Sequence, residues 1–248
     1  METEAIWRRE GEQKRSAVRG MFAEIARGYD RMNGLMSFGL HHRWRAFAVA
    51  QLRLQPGNRV LDVCCGTGDF MLPLRKAVGP KGHVFGVDFC LPMLEGAMEK
   101  LQSPSPGQAS WRGGALALGD ACRLPVAGSA FDGVSVGWGL RNVPDLNAAL
   151  TEAHRVLKSR GRFVSLDMAR PRNPFVRKAA EFALRRALPV LGKLLKLGDE
   201  AYAYLPESTL RFASRETLAA AMERAGFVDV AYRDLMLGNL CVHWGRKP

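Results

Sequence analysis

Apolar positions change their spacing near residue 55. Before that point they recur close to helical spacing, as in Met21, Phe22, Ile25, Ala26 and Tyr29, so residues 1–55 are expected to be helical. Pro56-Gly57-Asn58 punctuates the chain. Beyond it, short apolar runs alternate with amphipathic stretches. The runs at 60–63, 83–87, 111–118, 131–136 and 162–166 read as strands. The stretches ending at 78 and spanning 92–101 and 144–157 read as helices between them, with a proline-bearing loop at 103–107. This alternation predicts an α/β fold with a doubly wound, mainly parallel sheet whose ligands sit at the strand C-termini. Residues 170–200 are basic and helical in pattern, and 215–225 form another helix stopped by Gly226. Residues 227–235 and 239–244 read as a closing β-hairpin across Met236-Leu237-Gly238. The expected organisation is an N-terminal helical cap over 1–55 and a main domain over 56–248. A helical insertion falls at about 170–210 of the main domain.

Composition narrows this picture. With 248 residues, 47% hydrophobic and 24% charged, the chain excludes disorder, collagen and a disulfide-dense miniprotein. A net charge of +12 points to a polyanionic neighbour, either nucleic acid or an anionic membrane surface. Cys64, Cys65, Cys90, Cys122 and Cys241 are odd in number and lack a CxxC spacing. They read as reduced thiols, with no metal site. The N-terminus carries charges throughout, and no window approaches the length of a membrane span. A cytoplasmic protein is expected, with any membrane contact peripheral and at the inner face.

The sharpest chemical signal lies after the first strand. In Val60-Leu61-Asp62-Val63-Cys64-Cys65-Gly66-Thr67-Gly68-Asp69, Gly66 and Gly68 let backbone approach a ligand closely. The following helix offers free N–H groups. Asp88 closes the second strand, twenty residues beyond Gly68, where a carboxylate can grip two ribose hydroxyls. Met71 stands where a full GxGxxG would have its last glycine, which favours a nucleoside without a pyrophosphate. Asp120 follows the third strand; its carboxylate can accept from an adenine amino group while the Ala121 amide donates to the ring. Together, Gly66, Thr67, Gly68, Asp88, Asp120 and Ala121 resemble the binding motifs of class I S-adenosylmethionine-dependent methyltransferases. That resemblance implies a Rossmann-like sheet and accounts for the closing hairpin.

Further blocks are more specific. Tyr29-Asp30-Arg31-Met32-Asn33-Gly34-Leu35-Met36-Ser37, then His41 and Trp44, is similar to the N-terminal signature of the menaquinone and ubiquinone C-methyltransferases. Gly139-Leu140-Arg141-Asn142-Val143 matches a second block of that family. Residues 155–167 resemble a third, with Ser159-Arg160 for the usual Pro-Gly, Asp167 for the usual Glu and Ala169 for a common Ser. Tyr29, Trp44 and His41 also read as packing residues, and Asn33 as a turn former. Arg141 is harder to read that way, because a charge at a strand C-terminus needs a partner or a ligand.

The resemblance implies methyl transfer from S-adenosylmethionine to a ring carbon of a prenylated quinol, demethylmenaquinol first. Ubiquinone or phylloquinone precursors are the alternatives. Arg141 and Asn142 are the candidates for stabilising developing phenolate charge. A general base stays open between His41 and a water held by Asp167 or Tyr29. Residues 170–196 hold Arg170, Arg172, Arg177, Lys178, Arg185, Arg186, Lys193 and Lys196 against Glu181 alone. Apolar residues interleave with them, so the segment can lie on anionic lipid. The rival is a basic face that docks RNA for methylation. The apolar residues and the quinone-family blocks speak against nucleic acid, and a homodimer is compatible with the sequence.

Overall fold

A computed structural model describes residues 5–102, 114–187 and 199–248. Three helices precede the sheet: α1 (Gly11–Ile25), α2 (Tyr29–Ser37) and α3 (His41–Gln51). Then β1 (Arg59–Val63), α4 (Met71–Val78), β2 (His83–Asp88), α5 (Leu91–Gln102), β3 (Gly114–Leu118), β4 (Phe131–Gly137), α6 (Leu146–Val156) and β5 (Leu157–Met168) alternate. The chain continues through α7 (Pro174–Phe182), α8 (Asp199–Arg211), α9 (Arg215–Arg224), β6 (Val228–Leu235) and β7 (Leu240–Arg246). Residues 103–107 and 111–113 lie outside the described residues, as does 188–198.

The seven strands run in the order β3-β2-β1-β4-β5-β7-β6. β1 to β5 are parallel, and β7 is antiparallel to both β5 and β6. The strand order reverses between β1 and β4, which opens a crevice at their C-terminal ends. Strand periodicity sorts side chains to two faces. Leu61, Val63, Val134 and Phe163 pack against Leu150 of α6 and Leu218 and Met222 of α9. Val60, Val84, Val164 and Val242 pack on the opposite face against Met71 and Leu74 of α4. Both faces are covered, so these strands read as near-continuous apolar runs.

Packing divides the N-terminal segment. Ala48 and Val49 of α3 and Leu52 just after it enter the sheet core, whereas Val18 and Met21 of α1 pack with Ile6 and with Tyr204 of α8. β5 is longer than the run at 162–166, because its first residues pair with Phe131 across a register shift. The basic segment begins as α7, capped by Asn173, whose Oδ1 accepts from the Phe175 and Val176 amides at 2.9 and 3.3 Å, with Pro174 at the first helical position. A π-helical turn follows at Ala183–Ala187. Among the described residues no helix is long and apolar enough to cross a membrane.

Candidate active site

Two recesses open at the C-terminal ends of the parallel strands. A narrow cleft is lined by Gly66, Asp88, Asp120 and Ala121, with Cys64, Gly139 and Asn142. A larger, mostly apolar cavity of about 510 Å³ is lined by Met21, Met32, Met36, Trp44, Leu205 and Leu240, with polar groups from Asn33, His41, Arg45 and Arg141. Phe22, Tyr29 and Trp138 line both. Gly66, Asp88, Asp120 and Ala121, from the ends of β1, β2 and β3, thus meet in one cleft, and Tyr29, Gly139, Asn142 and Val143 of the two further blocks line it with them.

The cleft suits a nucleoside. Asp88 Oδ2 accepts from the Gly66 amide at 2.8 Å and Oδ1 from the Cys90 amide at 2.9 Å, leaving acceptor capacity for ribose hydroxyls. Burial pushes its carboxyl up to about 6, against the lowering effect of the Cys90, Gly66 and Phe89 amides. Asp120 Oδ1 accepts from the Cys122 amide at 2.9 Å, and its Oδ2 lies 3.4 Å from Arg15. Gly66 has φ +53° with open space where a Cβ would stand, so a side chain there would be strained and would fill the cleft.

Thr67 and Gly68 are placed differently. They are not among the residues lining the cleft. Thr67 is buried, and its hydroxyl donates to Asp30 Oδ1 at 2.5 Å. Gly68 (φ +81°) faces α5, where a Cβ would come within 3.3 Å of Ala97 Cβ. Both residues therefore shape the turn from behind, and Thr67 fastens it to α2.

That fastening is part of a charged network which sequence reasoning missed. Lys100 of α5 reaches Asp30 at 2.7 Å and also pairs with Asp69, and Arg45 of α3 pairs with Asp69 at 2.9 Å. Burial works against the Asp69 charge, but Arg45 and Lys100 outweigh it and hold its carboxyl below the ordinary value. Asp30 and Asp69 stand inside the quoted blocks, so two of the members were in view. Lys100 and Arg45 carried no signal, because nothing in spacing tells which surface cation turns inward.

Arg141 is buried, and its Nη1 donates to Asp167 Oδ1 at 2.8 Å and to the Trp138 carbonyl at 2.9 Å. Burial opposes its charge, yet Asp167 keeps the guanidinium above its ordinary value. Asp167 also accepts from the Met168 and Arg141 amides, which fix its carboxylate against Arg141. Asn142 Nδ2 donates to the same Trp138 carbonyl at 3.0 Å, and its Oδ1 accepts from the Tyr204 hydroxyl at 3.1 Å. Tyr204, contributed by α8, was not foreseen. Burial drives its hydroxyl up to about 12, so it stays a donor.

Trp138 is the least expected member of the site. Its φ is +54°, and Cys64 across the crevice has φ +56°; for non-glycine residues such backbone is uncommon and concentrates at functional sites. Trp138 is held by its own amide, which donates to Leu166 O at 2.7 Å, by the two side chains on its carbonyl, and by Arg45, 4.9 Å from its ring centroid.

His41 contacts Ser37 Oγ through Nδ1, and Ser37 donates its only proton to Asn33 O at 2.6 Å. Burial, with Arg45 and His42 adding repulsion, pushes His41 down to about 4. Burial raises Tyr29, so it remains a phenol.

This arrangement has recognisable relatives. The model of the ubiE/COQ5 methyltransferase family matches residues 9–247. Demethylmenaquinone methyltransferase of Lactiplantibacillus plantarum is 39% identical over 230 residues, 93% of this chain and 95% of that protein. The demethylmenaquinone methyltransferase of Desulfitobacterium hafniense is 40% identical over 238 residues, covering 96% and 92%. Among solved structures, a SAM-dependent methyltransferase of Thermotoga maritima superposes with a TM-score of 0.64 at 22% identity, over 93% of this chain and 100% of that one; this likeness speaks to the fold alone. The match over nearly the whole length, on blocks that the structure brings to one crevice, places the chain in the ubiE/COQ5 methyltransferase family.

Proposed function

We propose that the chain transfers a methyl group from S-adenosylmethionine to a ring carbon of a prenylated quinol, demethylmenaquinol first. One observation carries this reading. A cleft that presents Asp88 and Asp120, suited to ribose hydroxyls and an adenine amino group, meets a roomy apolar cavity, and both share Phe22, Tyr29 and Trp138 as a wall. The two relatives named as demethylmenaquinone methyltransferases support the choice of ring. S-adenosylmethionine supplies an electrophilic methyl on a sulfonium. The protein aligns donor and acceptor across the aromatic wall, and Gly66, Asp88, Asp120 and Ala121 hold the nucleoside.

The acceptor carbon gains nucleophilicity as the neighbouring hydroxyl loses its proton. Among the described residues lining the cavity no side chain is matched to take it, so the proton passes to solvent at the cavity mouth. A phenol titrates near ~10, whereas His41 sits at about 4, Tyr29 is itself protonated and Asp167 is paired with the Arg141 guanidinium. The geometry favours electrostatic stabilisation of the phenolate by the buried Arg141 charge over a dedicated base. Asn142 and Tyr204 keep the Arg141–Trp138 corner in place.

The acceptor's isoprenoid tail calls for access to lipid. We infer peripheral contact with an anionic membrane at its cytoplasmic face, supported by the exposed Arg177, Lys178, Arg185 and Arg186. Methyl transfer is tested with purified protein, labelled S-adenosylmethionine and a short-tailed demethylnaphthoquinol, alongside quinone profiling of a deletion strain. Label in the quinol and accumulation of demethylated quinone are expected. Normal quinones beside undermethylated RNA would overturn the reading.

A further inference from the structure

Three elements far apart in the chain hold apolar side chains in solvent around the mouth of the large cavity. Where α2 meets α3, Phe38 is 89% exposed, with Leu35 and Leu40 beside it. In the β6–β7 turn Leu237 is 80% exposed and Met236 53%. On α7 Phe175 is 81% and Phe182 69% exposed, and their spacing of seven, two helical turns, puts both on one stripe. Leu35, Phe38 and Met236 also line the cavity, as do Ala180 and Ala183 next to Phe182. Phe38 is the left-handed C-cap of α2, and Met236 and Leu237 form the β6–β7 turn, with φ of +49°, +48° and +56°; such positions favour Gly or Asn, so local folding does not call for bulky apolar residues there. Folded chains rarely leave a large apolar patch uncovered unless something docks there.

We propose that this rim is the membrane-docking surface: an anionic bilayer seats on it, and the cavity opens directly onto the acyl layer. The proposal rests on the prenylated-acceptor reading and deepens it by naming what faces the cavity mouth. Charge selects the bilayer over a second copy of the chain. Arg177, Lys178, Arg185 and Arg186 are exposed on and just after α7, and only Arg185 pairs among the described residues, with Glu207 at 3.1 Å. A twofold interface would set these cations against their own copies at a net charge of +12 per chain. Anionic headgroups neutralise them while the aromatic and aliphatic tips enter below. The tail then reaches the cavity sideways, without crossing water.

Phe175, Phe182 and Leu237 do not line the cavity, so Phe175→Glu, Phe182→Glu and Leu237→Glu probe docking apart from chemistry. Full-length protein is floated with vesicles of phosphatidylglycerol and phosphatidylcholine. Each variant is expected to weaken binding about tenfold, the effect of withdrawing one inserted side chain, and the triple variant to abolish it. Phe182→Leu keeps binding. The triple variant retains activity on a short-tailed quinol in buffer to within about twofold and loses activity on a long-tailed quinol in vesicles. Unchanged flotation of the triple variant overturns the proposal. So does conversion of a dimer to a monomer in sedimentation with flotation unaltered, which would assign the rim to a second copy. Native protein that floats but leaves the short-tailed quinol unmethylated would overturn the acceptor reading and leave the docking surface standing.

Discussion

Two buried carboxyls in adjacent strands respond to burial in the same direction and do different work. Asp88 faces the cleft, and in the proposed role it accepts ribose hydroxyls best as the carboxylate. Asp88→Ala is expected to weaken S-adenosylmethionine binding by roughly 1.5–3 kcal/mol per hydrogen bond lost, and calorimetry showing native affinity would exclude the assignment. Because its carboxyl sits at about 6, native affinity should fall as pH drops below that value and level off above it. Asp62 faces the core, where Ser135 donates to Oδ1 at 2.7 Å and Oδ2 has no partner. Burial drives it from 3.8 to about 7, although Ser135 opposes the shift. The unfolded chain releases this proton near 3.8 and the folded chain only near 7. Stability is therefore greatest below the lower value, declines between the two and is flat above. Asp62→Asn keeps the acceptor for Ser135 and removes the titration. It should gain on the order of a few kcal/mol at pH 8, read from urea denaturation at pH 4 and pH 8. Equal native and variant curves at pH 8 would mean that Asp62 titrates normally. Neither value was visible beforehand: Asp62 and Asp88 are the same residue type in similar runs, and only their surroundings separate them.

At the scale of elements, the glycine turn is clamped between α2, α3 and α5 by Asp30, Arg45, Thr67, Asp69 and Lys100. This joins the helix bearing Tyr29 to the turn bearing Gly66, so the two recesses share one support. Lys100→Met deletes the central cation and leaves Asp30 and Asp69 facing each other. The pairs are partly buried, so a loss of about 1–3 kcal/mol is expected, with faster amide exchange in α2 than in α9. Unchanged exchange in α2 would show that the clamp is not what orders it. Most elements were legible from apolar period alone, β1, β2, β4, α5 and the β6–β7 hairpin among them, because continuous or periodic burial leaves its mark on local composition. α8 was not. It was only part of a basic helical insertion, and its contribution of Tyr204 to Asn142 spans sixty-two positions.

Across the whole molecule, net charge and apolar display act together. Replacing Arg177, Lys178, Arg185 and Arg186 with Gln should release the protein from anionic vesicles, each cation near such a surface being worth about 1 kcal/mol. In native protein the same release should come with added salt, since screening contracts to ~3 Å at 1 M. Methyl transfer to a short-tailed quinol should survive, because Arg141 and the cleft lie apart from these residues. Flotation before and after salt, with an activity assay on each fraction, checks both. Loss of vesicle binding and of methyl transfer together would show that these four cations support the fold or the acceptor cavity and not a separate membrane contact.

The chain's own pattern determined the order of strands and helices, the need for glycine at the turn after β1, and the antiparallel closure by β6 and β7. Each of these follows from local sterics and from which positions must be dry. It also placed Asp88, Asp120 and Arg141 at strand ends. Tertiary structure alone decided what those ends meet. Arg141 found Asp167 and the carbonyl of Trp138, Thr67 turned back to Asp30, and Phe22, Tyr29 and Trp138 became a common wall. Desolvation and ion pairing act through space, so a residue's charge, tautomer and partner are set by which distant segments fold against it.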